Sequence, residues 1–288
     1  MNAPAAGQEG PLALICGAGS LPLAVADLVA ARGRQVLLFP LQGIARPEDY
    51  ATRPHTWIRI AQTGPFERAV RASGCKEVVL IGALVRPSIW QLRLNWTTLR
   101  LLPRIVAAYR GGDDHLLSGV AKLIEERGLS LRGAHEVAPE ILVPKGTLGR
   151  VQPTEHDRAD IALGLEYLRV TGPFDVGQAV VVAGRHVLAV EAAEGTDEMI
   201  ARVAELRANG RIRAATRGVL IKAPKRGQDR RFDLPSIGPR TVEGIARAGL
   251  AGIAAAAGGT IIADAEQLVQ SADNVKIFIV GVTAGSEP

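Results

Sequence analysis

Short apolar runs and stripes of helical period take turns along this chain. Residues 12–16 (Leu-Ala-Leu-Ile-Cys) form an unbroken apolar run that stops at Gly17-Ala18-Gly19-Ser20, the profile of a strand buried on both faces. Over residues 21–32 the apolar positions recur at helical spacing. Pro22 falls in the first turn, where its missing N–H is harmless, and Gly33 stands just past the end. Residues 35–39, 56–60 and 77–81 read as the next three strands, with a helix over 66–72. Residues 88–109 read as a helix bent or split at Pro103, and 113–127 as another. Units of this length predict a parallel sheet with right-handed crossovers.

Pro139, Pro144, Gly146, Gly149 and Pro153 then crowd together. The crowding predicts a connector over residues 139–153, between a first domain at 1–138 and a second at 154–288. Thr154-Glu155-His156-Asp157 has capping-box spacing and opens a helix over 155–169. A hairpin follows (179–182 and 187–190, turning at Gly184), then a helix over 196–208 and a strand over 218–223. After a loop come a helix over 239–248, a strand over 260–263, a helix over 264–272 and a strand over 275–280. No internal repeat or low-complexity tract is visible.

Composition narrows the class. Of 288 residues, 47% are hydrophobic and only 4% aromatic, a balance that suits helices on buried parallel strands better than a β-sandwich. The apolar run near the N-terminus is broken by Gly17, Gly19, Ser20, Pro22 and Asp27 and lacks a basic front, so neither a signal peptide nor a membrane anchor is expected. Two cysteines, Cys16 and Cys75, build neither a disulfide framework nor a zinc site. Cys16 reads as a core thiol, and a reducing, cytoplasmic compartment fits.

The net charge is +5, and its distribution says more than its size. Residues 1–133 carry 16 basic and 10 acidic side chains, while residues 134–288 carry 18 and 19. Two islands stand out. The stretch 86–112 holds five Arg and no acid, and 211–231 holds eight Lys and Arg around one carboxylate, Asp229. These are where an anion should bind.

Three motifs carry candidate chemistry. Gly17-Ala18-Gly19-Ser20-Leu21-Pro22 sits between a strand and a helix, where backbone N–H groups can approach a phosphate. A tight turn without ligand has the same sequence. Pro22 replaces the third glycine of a dinucleotide fingerprint, and Phe39-Pro40 stands where a ribose-binding acid belongs; both count against NAD. In Gly111-Gly112-Asp113-Asp114-His115 the two carboxylates are either a helix N-cap and its neighbour, or one of them or His115 faces a cleft toward the other domain. The third motif, Lys222 to Pro239, follows a strand and so lies at its carboxyl end. Two Asp four apart among cations have the composition of a metal-plus-phosphate site; a solvated basic loop is the plainer alternative.

Taken in order, Gly-Ala-Gly-Ser-Leu-Pro, Gly-Gly-Asp-Asp-His-Leu-Leu and Lys-Ala-Pro-Lys-x-Gly-Gln-Asp-x-Arg-x-Asp-Leu-Pro-x-Ile-Gly resemble the LpxI family, bacterial UDP-2,3-diacylglucosamine pyrophosphatases of lipid A biosynthesis. The resemblance spans residues 12–282, including the closing Ala-Gly-Gly-Thr-Ile-Ile-Ala-Asp and Ile-Phe-Ile-Val-Gly-Val. It implies an α/β protein with an N-terminal Rossmann-like parallel-sheet domain, a C-terminal α/β domain particular to the family, and ligand held between them. The implied reaction is hydrolysis of UDP-2,3-diacylglucosamine to UMP and 2,3-diacylglucosamine 1-phosphate, with water attacking the β-phosphorus and Mg2+ or Mn2+ as cofactor. Carried over by motif position, Asp229 and Asp233 would bind metal or orient water. Lys222, Lys225 and Arg231 would neutralise the pyrophosphate. Gly17, Gly19, Ser20, Leu21, Asp113, Asp114 and Gln228 would contact substrate. Arg226 and Arg230 fall at variable motif positions, where solvated side chains are expected.

The substrate's acyl chains call for an apolar surface. Ile89, Trp90, Leu92, Leu94, Trp96, Leu99 and Leu102 lie beside Arg86, Arg93 and Arg100, which suits an acyl groove or peripheral contact with the inner membrane. A core helix pair is the alternative. A homodimer is compatible with the sequence. A non-catalytic nucleotide-sugar or nucleotide-lipid binding protein is the competing functional class. Nucleic acid is disfavoured because the second basic island has little aromatic interleaving. His55, His135 and His186 stand alone in sequence, without metal-ligand spacing.

Overall fold

The protein is described from a computed structural model covering residues 10–59, 64–83, 121, 124–213, 216–225 and 227–283. The chain divides into two compact units. The first is residues 1–139 together with Asp229–Phe232; the second is residues 140–228 and 233–288.

In the first unit, β1 (Leu12–Cys16), β2 (Val36–Pro40), β3 (Glu77–Ile81) and β4 (Ser130–Arg132) form a parallel sheet in the order β2-β1-β3-β4. Strands pair along both edges of β1, and its apolar side chains, apart from half-buried Ile15, are buried on the faces of the sheet. Helix α1 (Leu21–Ala31) starts with Pro22 in its first turn. Helix α2 (Pro47–Tyr50) is a single turn, and α3 (Gly64–Ser73) packs Phe66 edge-on to Phe39 of β2, centroids 4.9 Å apart. The strand expected over 56–60 is absent among the described residues. Instead His55 and Ile58 make isolated bridges to Leu38 and Leu41 beside β2. Helix α4 (Ala134–Val137) follows β4. The expected helix over 88–109 lies outside the described residues, as do Asp113, Asp114 and the Trp-Leu-Arg stretch.

The second unit holds a mixed six-stranded sheet in the order β5 (Gly146–Leu148), β12 (Phe278–Val282), β10 (Gly252–Ala256), β8 (Val219–Lys222), β6 (Ala179–Ala183) and β7 (His186–Val190). Residues 139–153 are more than a connector. They contain a 3-10 turn (Pro139–Ile141) and the edge strand β5 (Gly146–Leu148), antiparallel to the last strand. Helix α5 (Glu155–Thr171) opens on the expected capping box: the Thr154 hydroxyl accepts from the Asp157 N–H at 3.2 Å, and the Asp157 carboxylate accepts the Thr154 N–H at 2.8 Å. The hairpin β6 (Ala179–Ala183) and β7 (His186–Val190) is held at its turn by buried Asp160, which accepts the Gly184 and Arg185 N–H groups. Helix α6 (Thr196–Ala208) leads to β8 (Val219–Lys222), then β9 (Ser236–Ile237) and α7 (Pro239–Arg247). Strand β10 (Gly252–Ala256) lies between β8 and the last strand, and both pairings are parallel. Strand β11 (Ile261–Ile262) pairs with β9, and α8 (Ala265–Asn274) precedes β12 (Phe278–Val282). The expected strand at 275–280 starts later because Lys276 is left-handed, at φ 56°.

Sheet order matters for the motifs. In the first unit the strands run outward in opposite directions from β1, so the β1/β3 carboxyl edge is the topological switch point. In the second, the loop 223–235 leaves the carboxyl end of central strand β8.

Candidate active site

Lys222 ends β8 and is only 6% exposed. Its Nζ donates to the Thr196 hydroxyl at 2.9 Å and to the Ser236 carbonyl at 3.1 Å. Burial pushes the ammonium's pKa down, while the carboxylates of Glu191, Asp197 and Asp233 oppose that shift. Thr196 donates in turn to Glu191 Oε1 at 2.7 Å, and Glu191 Oε2 accepts the Gln178 N–H at 2.8 Å. Lys222 was expected to meet the pyrophosphate. Its place is inside the unit, where it ties the loop's far end at β9 to the start of α6.

Lys225 and Asp233, further along the loop, belong to the same network. Lys225 Nζ donates to Asp175 Oδ1 at 2.7 Å, and its N–H donates to Gln228 Oε1 at 3.2 Å. Asp175 holds the left-handed position (φ 54°) after a 3-10 turn. Asp233 Oδ2 accepts the side-chain amide of Gln178 at 3.0 Å and also that of Gln228. Lys222, Lys225, Gln228 and Asp233, all singled out from the sequence, are thus joined in the second unit.

Asp229 and Arg231 have other surroundings, in the first unit. Arg231 forks Asp229: its Nε and backbone N–H each reach Oδ1 at 3.0 Å, and an Nη reaches Oδ2 at 2.8 Å. The second Nη donates to Glu125 at 3.2 Å. The guanidinium holds the Asp229 carboxyl below its ordinary value of 3.8, and the carboxylates raise Arg231. Phe232 packs against the core cluster that includes Phe39, Phe66 and Leu131. His135 is not isolated either. Burial lowers its pKa first and the charge of Arg230 next; Asp229 opposes, and Nδ1 is buried without a partner.

The glycine turn after β1 serves two purposes. Gly17 N–H donates to the Ile81 carbonyl at 2.8 Å, and Ala18 and Ala83 exchange both backbone bonds at 2.9 Å. A Cβ on Gly17 would fall 2.6 Å from the Ala83 oxygen, so this glycine is required by the neighbouring backbone. Gly19 has φ +99° and open space beside it. Of the two glycines, Gly19 alone leaves open space beside the turn. Cys16, one residue earlier, is a buried thiol with its pKa pushed up to about 11 by burial, as the sequence led one to expect of an inert core cysteine.

Sequence reading missed Gln178, Glu191, Thr196, Asp175 and His135. Each reaches the loop from a distant stretch, and none has a local motif.

Among the described residues no three His, Cys, Asp or Glu stand together as a metal cage. Carboxylate and amide oxygens suit a hard cation, which takes one or two protein carboxylates and fills its octahedron with water and phosphate. The donor set among the described residues fits Mg2+ or Mn2+ bound jointly with a phosphate ligand. Asp233, whose Oδ2 accepts two side-chain amides, offers a carboxylate for that role. Asp229 fits it only when Arg231 lets go.

Comparison with known proteins converges on one family. The LpxI N-terminal domain matches residues 11–141 and the LpxI C-terminal domain residues 144–280. UDP-2,3-diacylglucosamine pyrophosphatase LpxI of Caulobacter vibrioides is 41% identical over 278 residues, covering 96% of this chain and 99% of that protein. A solved structure, Thermus thermophilus UDP-glucose 4-epimerase in complex with NAD, aligns at a TM-score of 0.27 and 17% identity. It covers 50% of this chain and 41% of that one, and at that score bears on neither fold nor cofactor. Matched in both of its halves and along nearly its whole length, this chain belongs to the LpxI family.

Proposed function

We propose that this enzyme hydrolyses the pyrophosphate bond of UDP-2,3-diacylglucosamine in lipid A synthesis, releasing UMP and 2,3-diacylglucosamine 1-phosphate in a Mg2+-dependent reaction. The observation that carries the reading is the full-length similarity to a pyrophosphatase of that printed activity. The site supports it chemically, because a pyrophosphate needs cations, a hard-metal carboxylate and an ordered water. Bound with substrate, Mg2+ supplies charge neutralisation on the phosphate oxygens. Asp233 holds it and orients the attacking water. Lys225 exchanges Asp175 for a phosphate oxygen, and Arg231 does the same on releasing Asp229. Charge grows on the leaving phosphate as the bond breaks, so these cations bind the transition state more tightly than the ground state. Asp229, freed in that exchange, would likewise be available to hold metal or orient water. Gly19, Ser20 and Leu21 face the nucleotide, Gln228 contacts a phosphate, and Gly17 shapes the turn.

Among the described residues no helix is long and apolar enough to cross a membrane. The substrate's acyl chains are met through peripheral contact with the cytoplasmic face of the inner membrane, made by the acid-free stretch 86–112. Flotation with anionic liposomes tests that contact, and no binding at low salt would remove it. The decisive experiment incubates purified protein with UDP-2,3-diacylglucosamine, with and without Mg2+. Release of UMP only with the metal is expected. Binding of the nucleotide-lipid without any UMP would favour a non-catalytic binding protein.

A further inference from the structure

We infer that Gln178 is a positioning residue for Asp233, fixing from the sheet the carboxylate that the loop carries. The inference rests on the proposed role of Asp233. Gln178 immediately precedes β6, and its backbone is held on both sides: its N–H donates to Glu191 Oε2 at 2.8 Å, and its carbonyl accepts the Ala223 N–H at 3.1 Å. From that fixed point its Nε2 donates to Asp233 Oδ2 at 3.0 Å.

The second amide on the same oxygen comes from Gln228, five residues earlier in the same loop, and travels with it. Gln178 instead links Asp233 to the six-stranded sheet. The Gln178 donor is an uncharged amide, whereas the donor that forks Asp229 is a guanidinium.

A second observation separates positioning from plain stability. Gln178 Oε1 is buried without a hydrogen-bond partner. An orphaned buried acceptor opposes folding, so this side chain is a poor choice for stability alone. Residues that break a local rule without structural return concentrate at functional sites. Leucine, of similar volume, would remove the orphan together with the bond to Asp233.

The test is a double-mutant cycle on the full chain with Gln178→Leu, Asp233→Asn and the pair, assayed with UDP-2,3-diacylglucosamine and Mg2+. Gln178→Asn, which keeps an amide on a shorter stem, is the second single variant. Gln178→Leu is expected to lower kcat by about tenfold or more with KM changed by less than about twofold, and to leave the melting temperature unchanged or raised. The double variant should lose no more than Asp233→Asn alone. Amide hydrogen exchange in residues 233–237 should quicken in Gln178→Leu. Wild-type turnover in both Gln178 variants, or additive losses in the cycle, would overturn the inference. So would a fall in melting temperature that tracks the loss of activity. Wild-type turnover in Asp233→Asn would mark a different failure, that of the proposed role of Asp233 itself.

Discussion

Asp229 and Asp233 are four residues apart in one loop, yet the two units treat them in opposite ways. The first unit gives Asp229 a guanidinium that occupies both oxygens. The second gives Asp233 two neutral amides, with a buried ammonium acting on it from further off. One carboxylate is latched by a cation; the other is positioned by amides from the sheet and from its own loop. The contrast teaches that a spacing motif fixes which residue types are present and leaves their state of readiness to the surroundings.

The sharpest way to break that contrast is to remove each charge. Asp233→Asn keeps the volume and one acceptor, and is expected to cost kcat about 100-fold or more at nearly unchanged KM. Asp229→Ala should lose turnover on a similar scale while still binding UMP, measured by titration calorimetry. Retention of full turnover by either variant would remove that carboxylate from the chemistry.

Next in size is Lys222→Met. Glu191, Asp197 and Asp233 would keep their charges beside a missing ammonium. Loss of one partner from a buried ionic network costs about 3 kcal/mol, to be read from urea unfolding at neutral pH. A purely pyrophosphate-binding Lys222 would instead raise KM and leave stability alone.

The smallest effect sharpens the Asp229 side. Its pKa is depressed in the folded protein, so the stability that the pair contributes is present above its ordinary value of 3.8 and is lost as pH falls through the lower folded value. The pair is about one-third exposed, at 34% and 37%, so solvent screening keeps the effect under about 1 kcal/mol. Arg231→Leu should flatten the acid dependence of the melting temperature below about pH 4. An unchanged slope would mean that the fork is not maintained in solution.

Much of the fold was legible in sequence. The edges of the 196–208 helix, the capping box at Thr154 and the turn at Gly184 are local signals, written within a few residues of where they act. Strand β10 escaped because Gly-Ile-Ala-Ala-Ala carries little β preference of its own; its place between β8 and β12 decides it. The 56–60 run has the right composition for a strand but makes only isolated bridges. At the site, the loop residues were legible because their spacing is distinctive. Their partners were not: Gln178 meets Asp233 across 55 positions and Arg231 meets Glu125 across 106. The burial of Lys222 had one faint sign, its position at the end of the apolar run Val219-Leu220-Ile221.

The Ala18–Ala83 bridge gives the first unit a character that its glycines conceal. In α/β sheets the crevice between diverging strands is the usual doorway for a nucleotide. Here that doorway is stitched by paired backbone bonds, and the leading glycine of the signature presses against the stitch. A side chain at position 17 would push against that stitch, so the glycine there serves assembly of the sheet. The glycine that would lead a dinucleotide fingerprint elsewhere is spent here on closing the scaffold.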